Sequence, residues 1–144
     1  MSSEKLATLL AEGAIERVKE DRKAADLNLG SAESHLRSAE AVAADDSEGA
    51  FVLAYDAMRK AILAHMQANG FRVSARPGAH YRTGLYAPSA LDERGIDEHL
   101  AAFDDLRRLR NKSEYKAVRV EETDVAEAVV HARAILDAVK VDLS

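Results

Sequence analysis

The chain has 144 residues, 47% of them hydrophobic, a formal net charge of −5, and neither cysteine nor tryptophan. That length supports one domain with its own core. The missing cysteines exclude disulfides and thiolate-held metals, and the acidic balance argues against a protein that coats DNA by net charge.

Only two prolines interrupt the chain, and the β-branched and aromatic alternation of strands is nearly absent, so the expected fold is all-α. The opening Met1-Ser2-Ser3-Glu4-Lys5 lacks the pattern of a signal peptide. No apolar run approaches the roughly 18–20 residues of a membrane span. A cytoplasmic protein with no membrane partner is expected.

Ser2 or Ser3 is suited to cap a first helix to about Glu20, with Leu6, Leu9, Leu10, Ala14 and Val18 inward. The charged stretch Asp21 to Asp26 reads as a linker or a polar turn. A second helix is expected from about Lys23 to Ala44, with Leu29, Ala32, Leu36, Ala39 and Ala43 on one side; Gly30 leaves a break open there. Asp45-Asp46-Ser47 is a stop and restart, with Ser47 as cap of a third helix to Asn69. Its stripe, Phe51, Tyr55, Met58, Ile62 and Met66, is the strongest in the chain. Asn69-Gly70 signals its end.

From Phe71 to about Asp92 the expectation is an irregular basic loop, punctuated by Pro77-Gly78, Gly84 and Pro88, with room for a helical turn around Tyr81 to Tyr86. Such a loop in a compact domain is commonly functional. A fourth helix from Gly95 or Ile96 to Lys112 turns Ile96, Leu100, Phe103 and Leu106 inward. A last helix starts near Glu122 to Asp124, capped by Glu121 or Thr123. It reaches about Asp142 through Val125, Val129, Ala132, Leu136, Val139 and Leu143. The reading is one domain over 1–144, an antiparallel bundle of four to five helices, with an N-terminal helix in 1–22 and the core bundle in 23–144.

Charge is unevenly spread. Gly70 to Gly84 holds Arg72, Arg76 and Arg82 and no acid, and Leu106 to Arg119 holds six bases against Glu114 alone. A basic patch on an acidic body reads as a binding site; a solvated helix face with local salt bridges is the alternative. Arg110 stands out within that patch. Ile96, Phe103 and Leu106 lie fourteen, seven and four residues before it, on one helical face, so an arginine occupies an inward position. A guanidinium there needs a partner or a way out. Glu114, four residues on, is one candidate, as Asp104 is for Arg108. The five histidines are scattered, with no metal-ligand spacing, and no glycine-rich phosphate loop is present.

Tyr55-Asp56-Ala57-Met58-Arg59-Lys60-Ala61-Ile62, Asn69-Gly70-Phe71-Arg72-Val73, Gly78-Ala79-His80 and Arg110-Asn111-Lys112-Ser113-Glu114-Tyr115 together resemble a HEPN domain, over roughly Leu29 to Leu143. The resemblance implies a bundle of four to five helices, and for many members a metal-independent ribonuclease, often a toxin or defence protein. The family motif is an arginine, four to six variable residues and a histidine, with a polar residue often following the arginine. Arg110 matches the arginine and Asn111 the polar residue, but Tyr115 stands where the histidine would be. A tyrosine, with a reference pKa of about 10, is a poor base but a competent donor.

The resemblance thus implies Arg110, Asn111 and Tyr115 as the catalytic set, with Arg107, Lys112, Glu114, His80, Arg76 and Arg82 contacting substrate. His80 is the histidine placed to substitute for the missing one. It also implies no cofactor, a homodimer with the motif at its cleft, RNA as ligand and a nucleotidyltransferase-type antitoxin as partner. Two alternatives stand beside it: an inactive interaction module, and a nucleotide- or small-ligand-binding bundle with Phe71 to Tyr86 as lid.

Overall fold

The computed structural model describes all residues from Met1 to Ser144. Six helices and one pair of short strands follow in the order α1 (Ser3–Ala11), β1 (Ile15–Arg17), α2 (Arg22–Val42), α3 (Ser47–Asn69), β2 (Phe71–Val73), α4 (Ala79–Ala90), α5 (Asp97–Tyr115) and α6 (Glu122–Leu143). The fold is an all-α bundle. No helix is long and apolar enough to cross a membrane.

α3 is the central helix. Its stripe is continued by small residues, Ala50, Ala54, Ala57, Ala61 and Ala64, all buried. Alanines let neighbouring helices approach on several sides, so α3 packs against α2, α6, α5 and α4. From α6, Val125, Ala128, Ala132, Ile135, Leu136, Val139 and Leu143 complete the core. Phe51, Met58, Ile62, Leu36 and Leu136 are fully enclosed, each stabilising the fold by roughly 1.5–3 kcal/mol before the entropy of ordering is counted.

Local chemistry sets the helix ends. Ser2 accepts from the Lys5 amide, Asp21 from Ala24 and Asp46 from Gly49. Glu121 and Asp124 form a reciprocal capping box at the start of α6. Gly70, at φ 76°, ends α3 in the left-handed conformation that favours glycine.

Four sequence expectations are corrected. α1 stops at Ala11, not Glu20: Gly13, at φ 74°, turns the chain. Residues beyond it form β1, which buries Ile15, and Val18, just after the strand, is exposed. The basic stretch after Gly70 is not irregular, since it contains β2 and then the twelve residues of α4, with Pro88 inside the helix. Asp46, not Ser47, caps α3. Gly30 breaks nothing, because α2 runs through it.

The N-terminal segment straps this second half. β1 pairs antiparallel with β2, Ile15 opposite Val73 and Arg17 opposite Phe71, reinforced by Arg72 Nε 2.8 Å from Glu16. α1 lies on α4, where the Ser2 amide donates to the Ser89 carbonyl at 2.8 Å and the N-terminal ammonium is 3.4 Å from Asp92.

Two polar ties cross the core. His65 is fully buried. Its Nδ1 is 2.8 Å from Tyr86 Oη and its Nε2 2.6 Å from Asp142, which also binds Arg94. A neutral imidazole satisfies this arrangement, accepting from the phenol and donating to the carboxylate. Burial pushes the His65 pKa down, against the pull of Asp142, and so favours that neutral form. On the other side, Glu33 of α2 meets both Arg133 and Lys140 of α6.

Candidate functional site

Arg110 is the way in. It follows Phe103 and Leu106 on the inward face of α5, as its spacing predicts, and its side chain remains only 23% exposed. Its Nη1 lies 2.5 Å from Glu114 Oε2, one turn further on, and its Cζ sits 5.9 Å from the centre of the Tyr55 ring. Its Nε is buried and has no hydrogen-bond partner.

Tyr55 lies at the bottom of this arrangement, fully buried and packed on Phe103 with ring centres 5.4 Å apart. Its hydroxyl reaches His80 Nδ1 at 3.2 Å. Burial pushes the Tyr55 pKa up to about 12 against the opposing pull of Arg59, Arg110 and Arg107, so the phenol keeps its proton at neutral pH. His80 is the second residue of α4 and is partly exposed. Burial lowers its pKa first; Arg59, Arg110 and Arg107 lower it further, and Asp56 opposes them. The imidazole is therefore neutral at pH 7.

Two more arginines complete the cluster. Arg59 stands one turn after Tyr55 on α3, its Nε 3.5 Å from Asp56 and buried without a hydrogen bond. Arg107 binds Asp104 at 2.8 Å and lies 5.5 Å from the ring centre of the exposed Tyr81. Three guanidiniums from two helices thus surround a tyrosine–histidine pair. They hold it together because α4 and α5 approach closely: a Cβ on Gly84 would sit 2.8 Å from Phe103 Cδ1.

The expected site residues separate on this geometry. Arg110, Arg107, His80 and Glu114 come together. Asn111 is partly buried beside Arg110 in sequence, and Lys112 is exposed on the same turn. Tyr115 is 77% exposed at the end of α5. Five residues of helix rotate it roughly 140° from Arg110, away from the face that meets Tyr55. Arg82 departs from the expected substrate-contacting role. It is buried, and its guanidinium donates to the carbonyls of Ser74, Arg76 and Pro77, shaping the turn before α4. Arg76 is exposed and donates to the Gly13 carbonyl at 3.3 Å.

The sequence pattern places Tyr55 in the core stripe and does not mark Arg59 as a site residue. Their spacing of four, which puts both on one face of α3, was the available signal. No three His, Cys, Asp or Glu side chains gather to hold a metal ion.

A family model for the HEPN domain matches residues 11–142, nearly the whole chain. This chain belongs to the HEPN domain family. No curated protein and no solved structure matches it. The match extends the resemblance, first placed from Leu29, back through α2 and β1 into the last residue of α1. Within this HEPN chain the arginine of the motif region faces the bundle's central helix, and the nearest histidine to it comes from a different helix, α4.

Proposed function

We propose that this HEPN domain binds RNA at the Arg59–Arg107–Arg110 cluster and cleaves it as a metal-independent ribonuclease. The observation that carries the reading is the convergence of three guanidiniums on Tyr55 and His80, two of them with buried Nε donors left without partners. Buried donors without acceptors favour an anion that supplies the oxygens. The cluster reaches solvent at His80, Arg107 and Arg110, all of them partly exposed. An extended polyanion suits such a face better than a small enclosed ligand does.

The test is cleavage of total RNA by wild type beside Arg110→Ala, with chelator present, together with RNA affinity as a function of salt. Wild type is expected to cut and Arg110→Ala to fail. Affinity is expected to fall with salt and to drop about 10- to 100-fold in the variant, the worth of a charged hydrogen bond. Equal RNA binding by the two proteins refutes the reading. A second reading, a non-catalytic interaction module, is favoured by the exposure of Tyr115 and Val118 where the chain leaves α5. It predicts a stable oligomer or complex and no cleavage by either protein.

A further inference from the structure

Two histidines 32 residues apart in sequence meet at the seam between α5 and α6. His99 stands one residue before the buried Leu100, and His131 one before the buried Ala132. Both sit at the rim of the packed seam and are partly exposed. Their Nδ1 atoms lie 2.9 Å apart, with ring centres 5.2 Å apart and ring planes at 64°. The other three histidines have different partners. His35 is 2.9 Å from Lys60 Nζ, His65 is enclosed between Tyr86 and Asp142, and His80 bonds Tyr55.

We propose that His99 and His131 chelate a divalent transition-metal ion of the Zn²⁺ or Ni²⁺ class through their Nδ1 atoms, and so clip the start of α5 to α6. Imidazole nitrogen suits such ions, whereas Mg²⁺ and Ca²⁺ favour oxygen.

The spacing of the rings supports this. Zn²⁺ holds an imidazole nitrogen at about 2.0–2.1 Å, which puts the ring centre about 3.2 Å from the metal. Two rings at the tetrahedral angle then have centres about 5.2 Å apart, the separation observed here. Their nitrogens would lie about 3.3 Å apart, so a slight turn of each ring about its centre is enough. Two nitrogens facing each other cannot both carry a proton. Burial, and then the neighbouring His99, hold the His131 pKa below its usual value, which keeps a lone pair available at pH 7. On binding, the proton between the rings leaves Nδ1 and that ring is protonated at Nε2 instead, a change of tautomer with no net proton released.

The surroundings fit the same role. His99 Nε2 lies 3.5 Å from Glu98 Oε1. A metal-bound imidazole commonly donates its remaining N–H to such a carboxylate, which fixes the ring. No third side chain stands at the chelation point. Glu127, exposed one turn before His131 and acting on it by charge, can turn in beside water to complete four positions. Arg110 lies about 16 Å further along α5, so the ion takes no part in chemistry at the arginine cluster. The proposal stands apart from the ribonuclease reading.

The experiment uses the untagged full chain, stripped with chelator and returned to metal-free buffer at pH 7. Zn²⁺ and Ni²⁺ are titrated by calorimetry, and one ion per chain is expected. His99→Gln and His131→Gln are each expected to weaken binding more than about 100-fold, and Glu98→Gln about 10-fold, the effect of losing an orienting carboxylate. The Tm of wild type is expected to climb with free Zn²⁺, and that of the two histidine variants to stay level. Nitrogen NMR of the imidazoles gives a reading that needs no variant. Zn²⁺ is expected to move the Nδ1 signals of His99 and His131 and to leave His35, His65 and His80 unmoved. An absence of binding, binding that survives both histidine variants, or Zn²⁺-dependent shifts at other histidines alone overturns the proposal.

Discussion

Two glycine-to-alanine substitutions with opposite expected signs test the packing that builds the site. Both glycines lie inside helices, where alanine is favoured by about 0.4–1 kcal/mol. At Gly30, on the exposed side of α2, nothing lies within 4 Å of a new Cβ. Gly30→Ala is expected to realise the whole gain, raising the Tm by about 2–4 °C for a chain of this size. At Gly84 the new Cβ would meet Phe103 Cδ1 at 2.8 Å and Cε1 at 3.2 Å. Ordinary carbon contacts are about 3.5–4.0 Å. Phe103 has no room to retreat, because it is 1% exposed and packed on Tyr55.

Overpacking of that kind costs about 1–3 kcal/mol and outweighs the propensity gain. Gly84→Ala is therefore expected to lower the Tm by up to about 8 °C. If α4 yields instead of Phe103, His80 moves with it, so RNA binding or cleavage falls in Gly84→Ala and not in Gly30→Ala. Thermal melts of both variants, followed by the RNA assays, decide the matter. A Gly84→Ala protein as stabilised as Gly30→Ala would refute the close approach of α4 to α5.

Tyr86→Phe removes the 2.8 Å donor to the buried Nδ1 of His65, leaving only the Asn69 amide at 3.5 Å, and is expected to cost about 1–3 kcal/mol, read from the denaturant midpoint at unchanged m-value. The pKa values of His35, His65, His80 and His131 are all lowered, chiefly by burial. The folded state thus binds fewer protons than the unfolded one below the ordinary histidine value of about 6.5. The stability these groups contribute is full above that pH and falls as acid is added, so Tm should drop between pH 7 and pH 5; a flat profile would refute it. Glu33→Gln removes the carboxylate shared by Arg133 and Lys140. It is expected to lower stability by about 1 kcal/mol, an amount that shrinks at high salt.

The long helices were legible because their stripes are long. The Phe51–Met66 and Val125–Leu143 patterns specify α3 and α6, and nearly every residue in them is buried or packed against the core. Three-residue strands are too short to show an alternation, so β1 and β2 carried no signal. α4 was hidden by its own punctuation. Gly84 and Pro88 read as breakers, yet the glycine is required by Phe103, and the proline lies inside the helix. Arg110 announced itself by occupying an apolar position. Tyr55, read as a core residue, gave no sign that it answers Arg110, since the two meet through tertiary packing between helices distant in sequence. The substitution of Tyr115 for a histidine was visible and His80 was named to stand in for it; that His80 lies on a helix, α4, and bonds Tyr55 was not.

The strap formed by α1 and β1 sets an order of events. α2 and α3 are joined by a four-residue link and zip together as neighbours. α4 is secured by β1–β2 pairing and by the Ser2–Ser89 hydrogen bond, contacts that close much longer loops. Such closures form late and release early. Mild denaturant should therefore loosen the His80 face while the helix signal is still nearly intact. Trimming the chain at the first residue of its family match would remove most of α1 and bring that loosening forward, giving a bundle that still looks folded but has lost the grip on its histidine.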